Sequence, residues 1–326
     1  MKILVIRFSS IGDIVLTTPV IRCLKQQLPG LELHYLTKER FRQVLELNPY
    51  IDRLITVSSS LNEVTGRLQE EKYDQIIDLH KNLRSVLTAV KLRRPRYSFP
   101  KLNLRKWLAV RMKIFRLPEI HIVDRYFKAV EHLGVTNDRR GLDYFLGPDD
   151  EVPAGDLPES FQDGYIGWVI GGNHQTKIFP EERVIEVCQT INRPVVLLGG
   201  KEDAERGERI AGACGPKVFN ACGRYALNQS AWLVLHAEKI VTNDTGLMHI
   251  AAAFRKPVIS LWGNTVPEFG MTPYMPENEN KSLILEAKGL SCRPCSKLGY
   301  PKCPKGHFDC MMKIDTRRLS EELKNG

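Results

Sequence analysis

The stretch Ile240-Val241-Thr242-Asn243-Asp244-Thr245-Gly246-Leu247-Met248-His249-Ile250-Ala251-Ala252-Ala253 passes from an apolar strand into an apolar helix across a short polar turn. A second apolar strand, 257–262, follows, so the unit reads strand, turn, helix, strand. In open α/β sheets ligands settle beyond the carboxyl ends of the strands. A helix start at that place suits an anion. Asp244 or Thr245 can cap it, Gly246 admits a ligand close to the backbone, and the free amides carry roughly half a positive charge. Asp-Thr-Gly also serves as a plain cap and turn, and the unit alone does not choose between the two.

The same alternation runs outward in both directions. Apolar runs at 3–6, 33–36, 54–57 and 75–79, and again at 165–170, 194–198, 239–242 and 258–262, are separated by segments of helical character. This predicts an α/β protein with parallel sheets. At 326 residues the chain exceeds the size of one ordinary core. The turn-rich run Gly147-Pro148-Asp149-Asp150-Glu151-Val152-Pro153 marks the expected linker, giving domains at 1–152 and 153–313 with a cleft between them.

The net charge of +9 is local. Twelve of the 47 basic residues lie between Lys81 and Arg116, where there is no Asp or Glu, and the rest carries 35 basic against 38 acidic residues. Such a segment implies a polyanionic partner: a phosphorylated glycolipid, an anionic membrane surface or nucleic acid. Trp107, Leu108, Val110, Met112, Ile114 and Phe115 interleave with the charges, which favours a membrane-surface element over a solvated face. No apolar run approaches the ~20 residues of a membrane span. Arg7 and Asp13 interrupt the apolar N-terminus, which reads as the first buried strand of a cytoplasmic protein rather than a signal peptide.

Three further loops close predicted strands. Arg7-Phe8-Ser9-Ser10-Ile11-Gly12-Asp13 carries a carboxylate that either caps the next helix or serves as a general base. Ile170-Gly171-Gly172-Asn173-His174-Gln175-Thr176-Lys177 combines adjacent glycines with a lysine suited to a diphosphate. Leu198-Gly199-Gly200-Lys201-Glu202-Asp203 offers Glu202 to ribose hydroxyls, or simply starts a helix. No Walker A loop and no Gly-x-Gly-x-x-Gly fingerprint is present, which weakens a dinucleotide-dependent oxidoreductase.

Asp244 to Ala253, Arg7 to Ile14 and Cys303-Pro304-Lys305-Gly306-His307 together resemble the heptosyltransferases of lipopolysaccharide synthesis, glycosyltransferase family 9. The resemblance covers nearly the whole chain. One departure is Leu247, where that family commonly has proline. It implies a GT-B enzyme, two Rossmann-like domains facing a cleft, that is inverting and needs no metal or other cofactor. It implies transfer of heptose from ADP-heptose to a lipid-anchored inner-core oligosaccharide at the inner face of the inner membrane, with no nucleic acid as partner. Residue by residue it implies Asp13 as base, Lys177 at the diphosphate and Glu202 at the ribose. Asp244, Thr245, Gly246 and His249 match the donor motif, and Gly172 and Asn173 stand where the family often has hydroxyl residues against phosphate. Ser10, Gly12, Lys81 and Arg84 fall on the acceptor side, the last two in Asp78-Leu79-His80-Lys81-Asn82-Leu83-Arg84-Ser85, where His80 reads as structural. In this architecture the C-terminal segment 314–326 crosses back onto the first domain.

Cys292, Cys295, Cys303 and Cys310 form a Cys-x2-Cys-x7-Cys-x6-Cys run open to three readings: a structural zinc, disulfides or free thiols. Two other functions stay open: a transferase of the same fold using a UDP- or GDP-sugar, and a nucleic-acid or anionic-surface binding protein, which would leave the donor-like loops unexplained.

Overall fold

The computed structural model describes residues 1–278 and 281–324. In chain order the regular elements of the first half are β1 (Lys2–Ile6), α1 (Ile11–Val15), α2 (Thr18–Gln27), β2 (Glu32–Lys38), β3 (Arg53–Val57), α3 (Asn62–Glu70), β4 (Gln75–Asp78), α4 (Leu83–Leu92), β5 (Arg96–Ser98), α5 (Asn103–Arg111) and α6 (Ile122–Phe127). Then follow β6 (Ile166–Val169), α7 (Glu181–Thr190), β7 (Val195–Leu198), α8 (Ala204–Cys214), β8 (Val218–Asn220), α9 (Leu227–His236), β9 (Lys239–Asn243), α10 (Gly246–Ala253), β10 (Val258–Trp262), β11 (Ser282–Glu286), α11 (Asp309–Met312) and α12 (Thr316–Lys324). No helix among the described residues is long and apolar enough to cross a membrane.

The strands form two sheets, ordered β3-β2-β1-β4-β5 and β11-β10-β9-β6-β7-β8, with every pairing parallel. Both are Rossmann-like, as the alternation of apolar runs predicts. The strands β4, β6, β7 and β10 are buried along their whole length, which explains why they read as unbroken apolar runs: helices cover both faces of a parallel sheet. In each sheet the order reverses beside the first strand, between β1 and β4 and between β6 and β9, and ligands in such sheets bind outside the strand ends at that switch point.

Two compact units result, Met1–Lys101 with Ile120–Phe145, and Leu102–Glu119 with the chain from Leu146 onward. The division differs from the one expected at 152/153. Val152, Phe161 and Tyr165 are buried in the core of the second unit, so the turn-rich run already belongs to it. The excursion 102–119 joins the second unit because Ala109 packs with Val266 and Phe269. The C-terminal segment packs within the second unit. Leu319 and Leu323 of α12 are buried in the core that contains Val184 and Val187 of α7, and Thr316 Oγ1 donates to Glu186 at 2.6 Å. An amphipathic helix docks where its apolar face finds a complementary core, and α7 supplies one. Residues 325–326 of that segment lie outside the described residues.

Candidate functional site

In the first unit, β1 delivers Arg7 to its carboxyl end, where the side chain is buried. Its guanidinium donates to the carbonyls of Ser9 (2.7 Å) and Leu79 (2.6 Å) and to the Tyr126 hydroxyl (3.2 Å), and meets Asp13 Oδ1 at 2.7 Å. Burial alone would push this group down, yet Asp13 and the phenol oxygens of Tyr126 and Tyr35 hold it above its ordinary value. Asp13 Oδ2 accepts from the amide and hydroxyl of Ser10 at 3.2 and 2.8 Å. Asp13 therefore does cap α1 from its third position. The cap and the ion pair together hold the carboxylate in one orientation at the switch point. Ser10 is half-buried as the residue before α1, and Gly12 is buried within it.

Asp78, at the end of β4, is fully buried and accepts from the amides of His80 (2.9 Å) and Lys81 (2.7 Å), Ser85 Oγ (2.7 Å) and Arg96 (2.8 Å). The segment 78–85 is thus a turn wrapped around a buried carboxylate. Lys81 turns its ammonium onto the Phe99 carbonyl at 2.8 Å, so its charge is used within the chain. Arg84 is exposed, with its guanidinium 6.0 Å from the Phe8 ring centre. It lines a groove of about 690 Å³ together with Ser9, Lys38, His80, Asn82 and Lys91. Lys38 and Lys91 were not singled out by spacing, because strand pairing and α4 bring them beside Arg84 from distant places in the chain. His80 is not the satisfied structural histidine expected: its ring packs edge-on against Phe8, its buried Nδ1 has no hydrogen-bond partner, and burial together with Arg7 and Lys101 pushes it down to about 4.

In the second unit the loops after β6, β9 and β10 are tied together. Asn243, the last residue of β9, accepts from the Phe179 amide (3.1 Å) and donates to the Gly171 carbonyl (3.1 Å), fixing the glycine loop to the start of α10. Lys177 Nζ lies 2.5 Å from Asp244 Oδ2, which also accepts from Thr265 Oγ1 at 3.0 Å. Thr245 precedes α10 with extended backbone, and its side chain does not cap the helix amides. Gly172 faces it: a Cβ there would stand 3.7 Å from Thr245 Cγ2. Asn173 is exposed, while His249, one turn into α10, is 2% exposed and lies in the interior.

Glu202 is exposed in the short helical turn after β7, its carboxylate beside Gly200. The buried Asp203 next to it accepts from the Gly200 amide (2.9 Å) and from Arg206 (2.6 Å), which itself donates to the Ile170 carbonyl (2.6 Å). Asn243, Thr265, Asp203 and Arg206 are the supports sequence reasoning passed over. Only the Asn-Asp-Thr-Gly order hinted at one of them. Arg293, also buried, donates to the carbonyls of Gly263 and Thr265 at 2.5 and 2.9 Å and so fixes the loop that carries Thr265.

All eight cysteines are free thiols, which answers the disulfide reading. Cys295 Sγ donates to the Cys292 carbonyl at 3.1 Å, and Cys310 is buried among Met311 and Ile314, with burial raising it to about 12. The zinc reading finds no cage there. Among the described residues the one group of three or more metal-ligating side chains within reach of a single ion is Glu32, His34 and Glu71, in the first unit. Those three already pair with Lys2 and Tyr73.

Residues 62–300 match the model of a family described as glycosyltransferase family 9 (heptosyltransferase). The chain is 27% identical to lipopolysaccharide heptosyltransferase 2 of Salmonella typhimurium, over 99% of this chain and 97% of that one. Among solved structures, a glycosyl transferase family 9 protein from Veillonella parvula superposes with a TM-score of 0.72 at 27% identity, covering 88% of this chain and 86% of that one. The E. coli ADP-heptose LPS heptosyltransferase II gives 0.71 at 23% identity, over 99% and 97%.

Proposed function

The chain belongs to glycosyltransferase family 9, the heptosyltransferases, and from that premise we propose that it transfers heptose from ADP-heptose to an inner-core lipopolysaccharide acceptor, inverting the anomeric centre without a metal. The observation that carries this reading is the junction of β9 and α10, where Lys177 reaches Asp244 beside a helix start that the Thr245 side chain does not cap. A diphosphate leaving group gains charge as the glycosidic bond to it breaks. A lysine and a helix N-terminus stabilise that charge as a divalent cation would. Glu202 accepts from the ribose hydroxyls, Asp244 from the sugar, and Gly172 and Asn173 complete the phosphate cradle, with His249 packed beneath the turn.

Asp13 is the base. It takes the proton of the acceptor hydroxyl as that oxygen attacks the anomeric carbon, and ADP departs from the opposite face. Arg7 and Ser10 orient its carboxylate. On the acceptor side, Gly12 keeps the start of α1 slim, and Arg84, with Lys38 and Lys91, meets acidic groups of the acceptor, whereas Lys81 supports the loop. Because the acceptor is lipid-anchored, the protein works at the cytoplasmic face of the inner membrane. Thermal-shift measurements against ADP-, UDP- and GDP-sugars test the donor. Stabilisation by the ADP-sugar alone is expected, at about 2.7 kcal/mol when the ligand is at 100 Kd. Selective stabilisation by a UDP- or GDP-sugar would replace the donor while keeping the fold and the base.

A further inference from the structure

The basic run 81–116 is divided by the fold. In its first part three cations are spent internally, Lys81 and Lys101 donating to backbone carbonyls and Arg96 pairing with Asp78, while Arg84 and Lys91 line the groove. Its second part, 102–116, is different. One face of α5 is anchored to the second unit, with Ala109 fully buried against Val266 and Phe269, and Lys106 over the Phe269 ring. Beyond the helix, Lys113 Nζ donates to the carbonyls of Cys292 (2.9 Å) and Pro294 (2.8 Å). The opposite face meets solvent with large apolar side chains: Leu104 is 70% exposed, Trp107 47%, Met112 58% and Phe115 49%. Arg105, Arg111 and Arg116 are exposed among them.

We infer that this face of 104–116, Leu104, Trp107, Met112 and Phe115 with Arg111 and Arg116, docks on an anionic lipid bilayer. A rigidly mounted apolar strip with cations at its border is the pattern of an element that sinks its side chains to the acyl boundary and leaves guanidinium groups at the phosphates. Charge complementarity selects the occupant. Between residues 79 and 118 there is no carboxylate, so a second copy meeting this face through a two-fold contact would set arginine against arginine. Nucleic acid would satisfy the arginines and leave Leu104, Met112 and Phe115 in water. The inference rests on the proposed lipid-anchored acceptor only for which membrane is met, and its test uses no sugar nucleotide.

Co-sedimentation of the full chain with phosphatidylglycerol/phosphatidylethanolamine vesicles, against phosphatidylcholine alone, reads the docking directly. Binding to the anionic vesicles is expected, weakening as salt rises. Arg111→Glu/Arg116→Glu should lower the partition by at least roughly 25-fold, since each basic residue near such a surface contributes about fivefold. Trp107→Ser/Phe115→Ser should also abolish binding. Of the four tryptophans Trp107 is exposed, Trp232 half-buried and Trp168 and Trp262 buried, so emission should shift to the blue on docking and the shift should vanish in Trp107→Phe. Both double variants should keep the wild-type melting temperature, because every changed side chain is exposed. Equal binding to neutral vesicles, undiminished binding of either variant, or a Phe115-dependent dimer in light scattering would overturn the inference. The donor thermal shift is unaffected by any of these outcomes, so failure of this inference and failure of the proposed donor are read separately.

Discussion

Lys177 Nζ and Asp244 Oδ2 stand 2.5 Å apart, so the cation assigned to the diphosphate begins paired with a carboxylate. A phosphate must draw that lysine away from Asp244 or share it. The two side chains should therefore act on ADP with opposite sign. Lys177→Ala removes a charged hydrogen bond worth about 1.5–3 kcal/mol, a loss of about 10- to 150-fold in ADP affinity. Asp244→Asn removes the competing charge and should leave ADP affinity unchanged or tighter, while transfer from the sugar nucleotide falls. Isothermal titration with ADP and steady-state kinetics check both; equal weakening in the two variants would make the pair a structural strut.

Asp13 carries two duties, and they can be separated. Asp13→Asn keeps one oxygen for the Ser10 donors but loses the ion pair and sets an NH2 against the Arg7 guanidinium, so α1 keeps its cap while the melting temperature falls. The variant cannot take a proton. A general base contributes about 10²–10⁴-fold, and kcat should fall in that range while the donor thermal shift persists. A variant with full transfer activity would remove Asp13 from the chemistry.

His80 gives the first unit a pH signature. Burial, then Arg7 and Lys101, lower it from 6.5 to about 4, so the folded chain refuses a proton that the unfolded chain accepts below about 6.5. The unfolded state then binds more protons, and stability falls as pH drops from about 6.5 to 4, after which this contribution is constant. His80→Gln removes the difference. Urea midpoints at pH 7 and 4.5 should show the wild type losing about 1 kcal/mol more than the variant, a figure reduced for the ring's partial contact with solvent.

The two parallel sheets were legible because strands covered on both faces must be apolar throughout, and the runs at 3–6 and 258–262 say so directly. Asp13 and Asp244 were legible because their loops close such runs. The supports were not. Asn243 holds Gly171 from 72 residues away, and Asp203 meets Gly171 from another strand end; neither contact leaves a local pattern. The place of the excursion 102–119 is illegible for the same reason. Its basic residues read as continuous with those before them, and only the packing of Ala109 on Phe269 moves it into the second unit. Lys81 shows the limit of charge reading: a lysine in a basic run can be spent on one carbonyl.

The adjacent glycines of the second unit separate folding from binding. A Cβ on Gly171 would stand 2.3 Å from Asp203 Oδ2, and the carboxylate cannot retreat without giving up the Gly200 amide and Arg206. Gly171→Ala should cost about 1–3 kcal/mol through overpacking, or roughly 2–4 °C in Tm per kcal/mol. On Gly172 the nearest atom to a Cβ is Ile178 Cγ1 at 3.2 Å, a side chain able to give by a few tenths of an ångström. Gly172→Ala should melt within about 2 °C of wild type, since surplus of one methyl is absorbed there. Its methyl would nonetheless project between Ile178 and Thr245, at the mouth of the α10 amides, and ADP affinity should fall. Differential scanning calorimetry with and without ADP separates the pair: early melting for the Gly171 variant, and a diminished ADP-induced shift for the Gly172 variant. A Gly172 variant with undiminished ADP stabilisation would move the phosphate away from this loop.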